Sequence, residues 1–109
     1  MQNAINIGEL DTRIVVDRYV ETRGDESQLV KTWVEHSRPF AKVARQTSEM
    51  VSSGNLEERE ILNVTIYKIP ELNTRWRIKV EGQPYEISDI DHISRISPLC
   101  ILTVHSIDR

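Results

Sequence analysis

Glycine and proline are scarce in this chain, four of each in 109 residues, and cysteine occurs once. So few glycines leave no room for a glycine-rich phosphate loop, and the serines lack a nucleophile-elbow setting. A single cysteine, Cys100, excludes an internal disulfide. It sits in the apolar run Leu99-Cys100-Ile101-Leu102, which reads as a buried, inert thiol rather than a nucleophile. No apolar run approaches membrane-spanning length, and Met1 to Leu10 carries no apolar block of the signal-peptide kind. The expectation is a chain made and kept in a reducing cytoplasm, with no membrane partner. Positive charge is short as well. Fourteen Lys and Arg stand against 17 Asp and Glu, for a net charge of −3. A protein that holds nucleic acid by neutralising phosphates normally shows a basic excess, so DNA or RNA is not the obvious ligand.

What is present is period-two alternation. In Arg75-Trp76-Arg77-Ile78-Lys79-Val80, charged and apolar residues alternate strictly, so a strand would put Trp76, Ile78 and Val80 on one face and three cations on the other. That cationic face reads as a solvated strand surface. Glu81-Gly82-Gln83 then forms a tight turn, with Gly82 free to take positive φ. Tyr85 to Ile90 returns as the next strand, and Pro84 stands at its start, where a missing N–H does least harm. Arg13 to Val20, Leu29 to Glu35, Phe40 to Arg45, Ile61 to Tyr67 and a last segment lined by Cys100, Leu102 and Val104 read the same way. Seven short strands with turn signals between them, in a one-domain chain spanning 1–109, predict an all-β fold: a small antiparallel barrel or sandwich of about six to seven strands.

Two segments carry no strand signal. Glu21 to Gln28 is polar and charged and predicts a long hairpin tip. Gln46 to Glu60 predicts a long internal loop, exchanging its amides fast, in which Asn55 and Glu58 cap one helical turn through Leu56 to Arg59. Met50, Val51 and Leu56 are then apolar residues held for a partner.

The search for chemistry yields no catalytic, metal-binding or cofactor-binding constellation. His36, His92 and His105 do not pair at metal-ligand spacing with one another or with Cys100. Asp89 and Asp91 share a strand face that His92 does not, which reads as a solvated turn. The acidic cluster Glu57, Glu58 and Glu60 includes Arg59 and reads as a solvated surface or subunit contact. The aromatics Tyr19, Trp33, Phe40, Tyr67, Trp76 and Tyr85 are spread over six segments, which favours core or subunit contact over a base-stacking platform.

The order of these pieces resembles the phage head–tail joining family of head-closure (stopper) and head–tail adaptor proteins. The opening Gly-x-Leu-x-x-Arg-Ile pattern is met by Gly8, Leu10, Arg13 and Ile14. A charged tip follows at Thr22-Arg23-Gly24-Asp25, then a Thr32-Trp33 pair. Next come an aromatic-Ala-x-Val strand at Phe40-Ala41-Lys42-Val43 and a Val64-Thr65-Ile66 strand. The closing pattern is met by Arg77-Ile78, Gly82, Tyr85, Ile87 and Ile90. Tyr67 stands where the family usually has Arg, and Phe40 where Trp is common.

This resemblance runs from Gly8 to Val104. It implies a small antiparallel β-barrel that is not an enzyme and takes no cofactor. It also implies a virion protein, assembled in the bacterial host cytoplasm, that closes the head channel after DNA packaging as part of a ring-shaped connector. Its partners would be copies of itself, a portal-bound adaptor below and tail proteins above, with DNA touched only weakly in the channel. Candidate contact residues are Met50, Val51, Leu56, Arg23 and Asp25. A tail-completion or terminator protein is the alternative closest to this reading. A small nucleic-acid-binding barrel would need a basic groove with exposed aromatics, and a small enzyme or metal protein would need convergent polar geometry.

Overall fold

A computed structural model describes the backbone of residues 7–24, 28–52 and 55–107, and the side chains of the same residues apart from 7 and 47–59. After a single 3-10 turn at Ile7–Glu9, seven strands follow: β1 Thr12–Arg23, β2 Leu29–Ser37, β3 Phe40–Ser52, β4 Asn55–Tyr67, β5 Arg77–Val80, β6 Gln83–Asp91 and β7 Leu99–Ser106. They form one antiparallel sheet in the order β2-β1-β3-β4-β7-β6-β5, and β5 also pairs with β1. That last pairing closes the sheet on itself as a six-strand ring with β2 outside it. Closure removes the exposed edges within the ring that a small sheet must otherwise protect, and leaves β2 as an edge.

β1 is the seam. Its residues Ile14 to Asp17 pair with Val80 to Arg77 of β5. Its other edge meets β3 at Thr12↔Ala41 and Arg13↔Phe40, then continues in the same register onto β2 at Val16↔Ser37. β2 and β3 thus behave as one long strand bent at Arg38-Pro39, where the Ile14 N–H donates to the Pro39 carbonyl at 3.0 Å. The bend lets β3 enter the ring while β2 leaves it with the outer half of β1.

The alternating positions meet inside the ring. Ile14, Val16, Ala41, Leu62, Val64, Ile66, Trp76, Ile78, Val80, Tyr85, Ile87, Cys100, Leu102 and Val104 form a single buried cluster. Each large aliphatic or aromatic side chain taken fully from water contributes about 1.5–3 kcal/mol, which makes this cluster the main source of stability. The β5–β6 turn has Glu81 at φ 54° and Gly82 at φ 83°. Two positive φ values are what a two-residue type I′ hairpin requires.

Gln46 to Glu60 does not form the long loop expected. Gln46 to Ser52 lies on β3 and Asn55 to Glu60 on β4, paired without a break from Lys42↔Thr65 out to Ser52↔Asn55. The helical turn expected at Leu56 to Arg59 is likewise strand. The backbone ladder extends a register already set by Val43↔Val64 and Arg45↔Leu62, so an arm of modest β-propensity stays paired. Propensity in strands is weak beside such context. The tip expected at Glu21 to Gln28 is shorter too: Glu21 to Arg23 pair with Lys31 to Leu29, and Gly24 N–H reaches the Gln28 carbonyl at 2.7 Å.

Candidate subunit-contact surface

Two ribbons extend beyond the ring. One is the outer half of β1 with β2; the other is the outer halves of β3 and β4, past the point where β4 leaves β7 at Ile61↔His105. The β3–β4 ribbon brings three sequence candidates together: Val51 pairs directly with Leu56, and Met50 stands next to Val51, opposite Glu57. Arg23 lies near the end of the other ribbon, opposite Leu29. Asp25 lies outside the described residues.

Glu60 fastens the β3–β4 ribbon where it meets the ring. Its carboxylate accepts the Tyr85 hydroxyl at 2.9 Å and pairs with Arg45 at 2.7 Å, while its own N–H donates to Ser106 Oγ at 3.3 Å. Strands β3, β6 and β7 therefore all grip one residue of β4. Burial, helped by the Glu60 hydrogen bond, pushes the Tyr85 hydroxyl above its ordinary pKa.

The β1–β2 ribbon is tied to the ring by aromatics and cations. Tyr19 and Trp33 meet edge to face at 5.6 Å, and the Trp33 indole N–H donates to the Arg75 carbonyl at 3.0 Å. The Arg77 guanidinium lies 4.7 Å over the Trp33 ring, and Arg75 lies 5.7 Å over Tyr19. Beneath them Asp17 is buried at 4% exposure, with Arg77 at 3.1 Å and Lys79 at 4.0 Å. Two of the three cations expected on a solvated face therefore converge on one buried carboxylate. A cleft of about 520 Å³ opens here, lined in part by Tyr19, Lys31, Trp33, Arg75, Arg77 and Glu86.

Exposed apolar side chains gather in three places. β2 carries Leu29, Val30, Trp33 and Val34. Phe40 and Tyr67, with Leu10 and Pro39, line a shallow hollow, and Arg13 lies 4.3 Å over the Phe40 ring. Ile96 is 88% exposed in the β6–β7 loop, where Ile93 holds a φ of 65°, a strained value for a β-branched residue. Of the six aromatics weighed as core or contact, Trp76 and Tyr85 are core, Tyr19 packs against it, and Trp33, Phe40 and Tyr67 are exposed. Single surface apolars are ordinary, but exposed aromatics grouped with other apolar side chains are what binding surfaces present.

The histidines lie apart. His36 packs against Trp76 at 5.2 Å, and His105 sits 3.2 Å from Glu86. Burial raises the Cys100 thiol above its ordinary pKa, the environment of an inert cysteine. Sequence reasoning missed the Asp17–Arg77 pair and the Trp33–Arg75 bond. Both join residues far apart in the chain, and only the β1–β5 pairing brings them together.

A family model described as phage head completion protein matches residues 5–105. No curated protein sequence matches. In fold, the chain is similar to a chain of the virion of a native gene transfer agent particle, with a TM-score of 0.68 and 11% identity over 88% of this chain and 93% of that one. It is also similar to a Shigella flexneri 2a protein known from its solution structure, with a TM-score of 0.67 and 21% identity over 94% of this chain and 96% of that one.

Proposed function

The chain belongs to the phage head completion protein family, and from that premise we propose that it closes the head channel after DNA packaging and joins head to tail as one subunit of a ring-shaped connector. The observation that carries this reading is the family match across residues 5–105. On this reading the protein has a structural role in the virion and performs no catalysis. A head-to-tail contact whose rotation closes generates a ring.

The ribbons are the parts that reach neighbours. The β3–β4 ribbon, with Met50, Val51 and Leu56, and the end of the β1–β2 ribbon, with Arg23, are the proposed contacts with copies of the chain, an adaptor below and a tail component above; Asp25 is proposed with them from the sequence alone. DNA contact is weak. Arg77 and Lys79 are drawn to Asp17, and a subunit with a net charge of −3 gains little from phosphates unless a ring multiplies the contact.

The test is reconstitution. DNA-filled heads carrying portal and adaptor, but lacking this protein, are mixed with the purified chain and imaged at the portal vertex. The reading expects a new ring of density on the tail-facing side of the adaptor and DNA retained against nuclease. Binding at the tail end instead would favour the tail-completion alternative, and no binding at either place would contradict the role.

A further inference from the structure

β2 is the one strand of the sheet that lies outside the ring, and among the described residues only β1 pairs with it. Its residues from Leu29 to His36 are all exposed. A row of unpaired backbone N–H and C=O groups on a strand with exposed Val30 and Val34 is a template for another strand. The segment from Leu29 to Glu35 carries two charges, Lys31 and Glu35, but no residue that breaks a strand. It holds no proline or glycine, and the irregularity in its pairing with β1 falls past Glu35, at the body end.

The charges say what fits. Lys31 and Glu35 lie two residues on either side of Trp33 and share its face of the strand. An antiparallel copy of β2 centred on Trp33 sets each Lys31 opposite the other copy's Glu35, Trp33 opposite Trp33, and Thr32 opposite Val34. Opposite charges directly across a strand pair are favourable, as are aromatic pairs. The neighbouring register, centred on Thr32, would leave each Lys31 facing Trp33 and both Glu35 carboxylates facing Leu29. Within its own subunit Lys31 stands opposite Glu21, and Glu35 accepts from Arg38 at 2.7 Å, with both acids exposed enough to reach a second cation.

We propose that β2 is a self-pairing edge: two free subunits associate by antiparallel β2–β2 addition centred on Trp33, forming a four-stranded sheet from the two β1–β2 ribbons. The contact is two-fold, so it cannot propagate into a ring of more than two subunits. It is a state of the free chain, and its failure would leave the head-joining role untouched. A joint of one strand pair is small and belongs to the weak, transient class, with Kd between about 1 µM and 1 mM.

Charge reversal tests it. Sedimentation velocity is measured across a concentration series for the full chain and for Lys31→Glu, Glu35→Lys and the double variant, with circular dichroism confirming that each folds. Wild type should associate as concentration rises, and its β2 amides should exchange more slowly at high concentration. Each single reversal creates two like-charge pairs across the joint and should weaken association at least about tenfold. The double variant should restore it. A chain that stays monomeric throughout with concentration-independent exchange on β2, single reversals that leave association unchanged, or a double variant that does not recover would each overturn the proposal.

Discussion

Replacing Asp17 by alanine should open the sheet at its seam. Asp17 is 4% exposed and faces Arg77 across the β1–β5 pair, the contact that closes the ring. Its carboxylate accepts from Arg77 Nε at 3.1 Å and lies 4.0 Å from Lys79. Removing one partner of a fully buried pair costs about 3–5 kcal/mol, because a charge is left desolvated and unpaired. Here the stranded cations keep some water, since the Arg77 side chain is 27% exposed and Lys79 39%. Solvent screens what remains, so the expected cost falls to about 2–3 kcal/mol. Asp17→Asn keeps an acceptor and loses the charge, and should cost less, about 1–2 kcal/mol. Urea unfolding followed by tryptophan fluorescence measures both. Trp33 stacks under Arg77, so the native signal itself should also change. A double-mutant cycle with Arg77→Met should return a coupling of about 1–3 kcal/mol. A cost below about 0.5 kcal/mol for Asp17→Ala, the usual level of a surface change, would refute the view that this pair holds the seam.

Trp76→Ala removes the largest core side chain, and should cost about 3–5 kcal/mol in the same unfolding assay. In the β5–β6 turn, Gly82→Ala should cost about 1–2 kcal/mol although its Cβ would meet no atom within 4 Å, because the penalty lies in the positive φ alone. Glu81→Asn should stabilise by about 0.5–1 kcal/mol, asparagine being better suited to that φ; both are read from thermal melts. Burial raises the Cys100 pKa, so its thiol favours the folded state below the ordinary thiol pKa, and that contribution is lost as pH rises through the elevated folded value. Alkylation of the native protein should accordingly be slow at pH 8 and fast in denaturant, as followed by mass spectrometry.

The interior was legible in the sequence because a strand face repeats every second residue. Trp76 with Ile78 and Val80 of β5, Leu62, Val64 and Ile66 on β4, and Cys100, Leu102 and Val104 on β7 all announce a buried face by alternation, and all are buried. The outer arms of β3 and β4 were not legible. Their pairing follows from a register set further in, which leaves no mark on Thr47 to Arg59. Hydrophobic type also does not say which side of a strand meets water. Phe40 and Tyr67 sit next to buried Ala41 and Ile66, yet both are exposed. The pairing of Asp17 with Arg77 was hidden for another reason: strand-to-strand proximity between β1 and β5 depends on ring closure, which no local pattern encodes.

The central claim concerns what the protein completes. Deleting its gene from a producing phage, and examining the resulting particles by electron microscopy and nuclease protection, tests that claim most directly. The account predicts heads that package DNA and then leak it or fail to join tails, with normal tails free beside them. Intact, infectious, DNA-filled particles in the absence of the protein would contradict it.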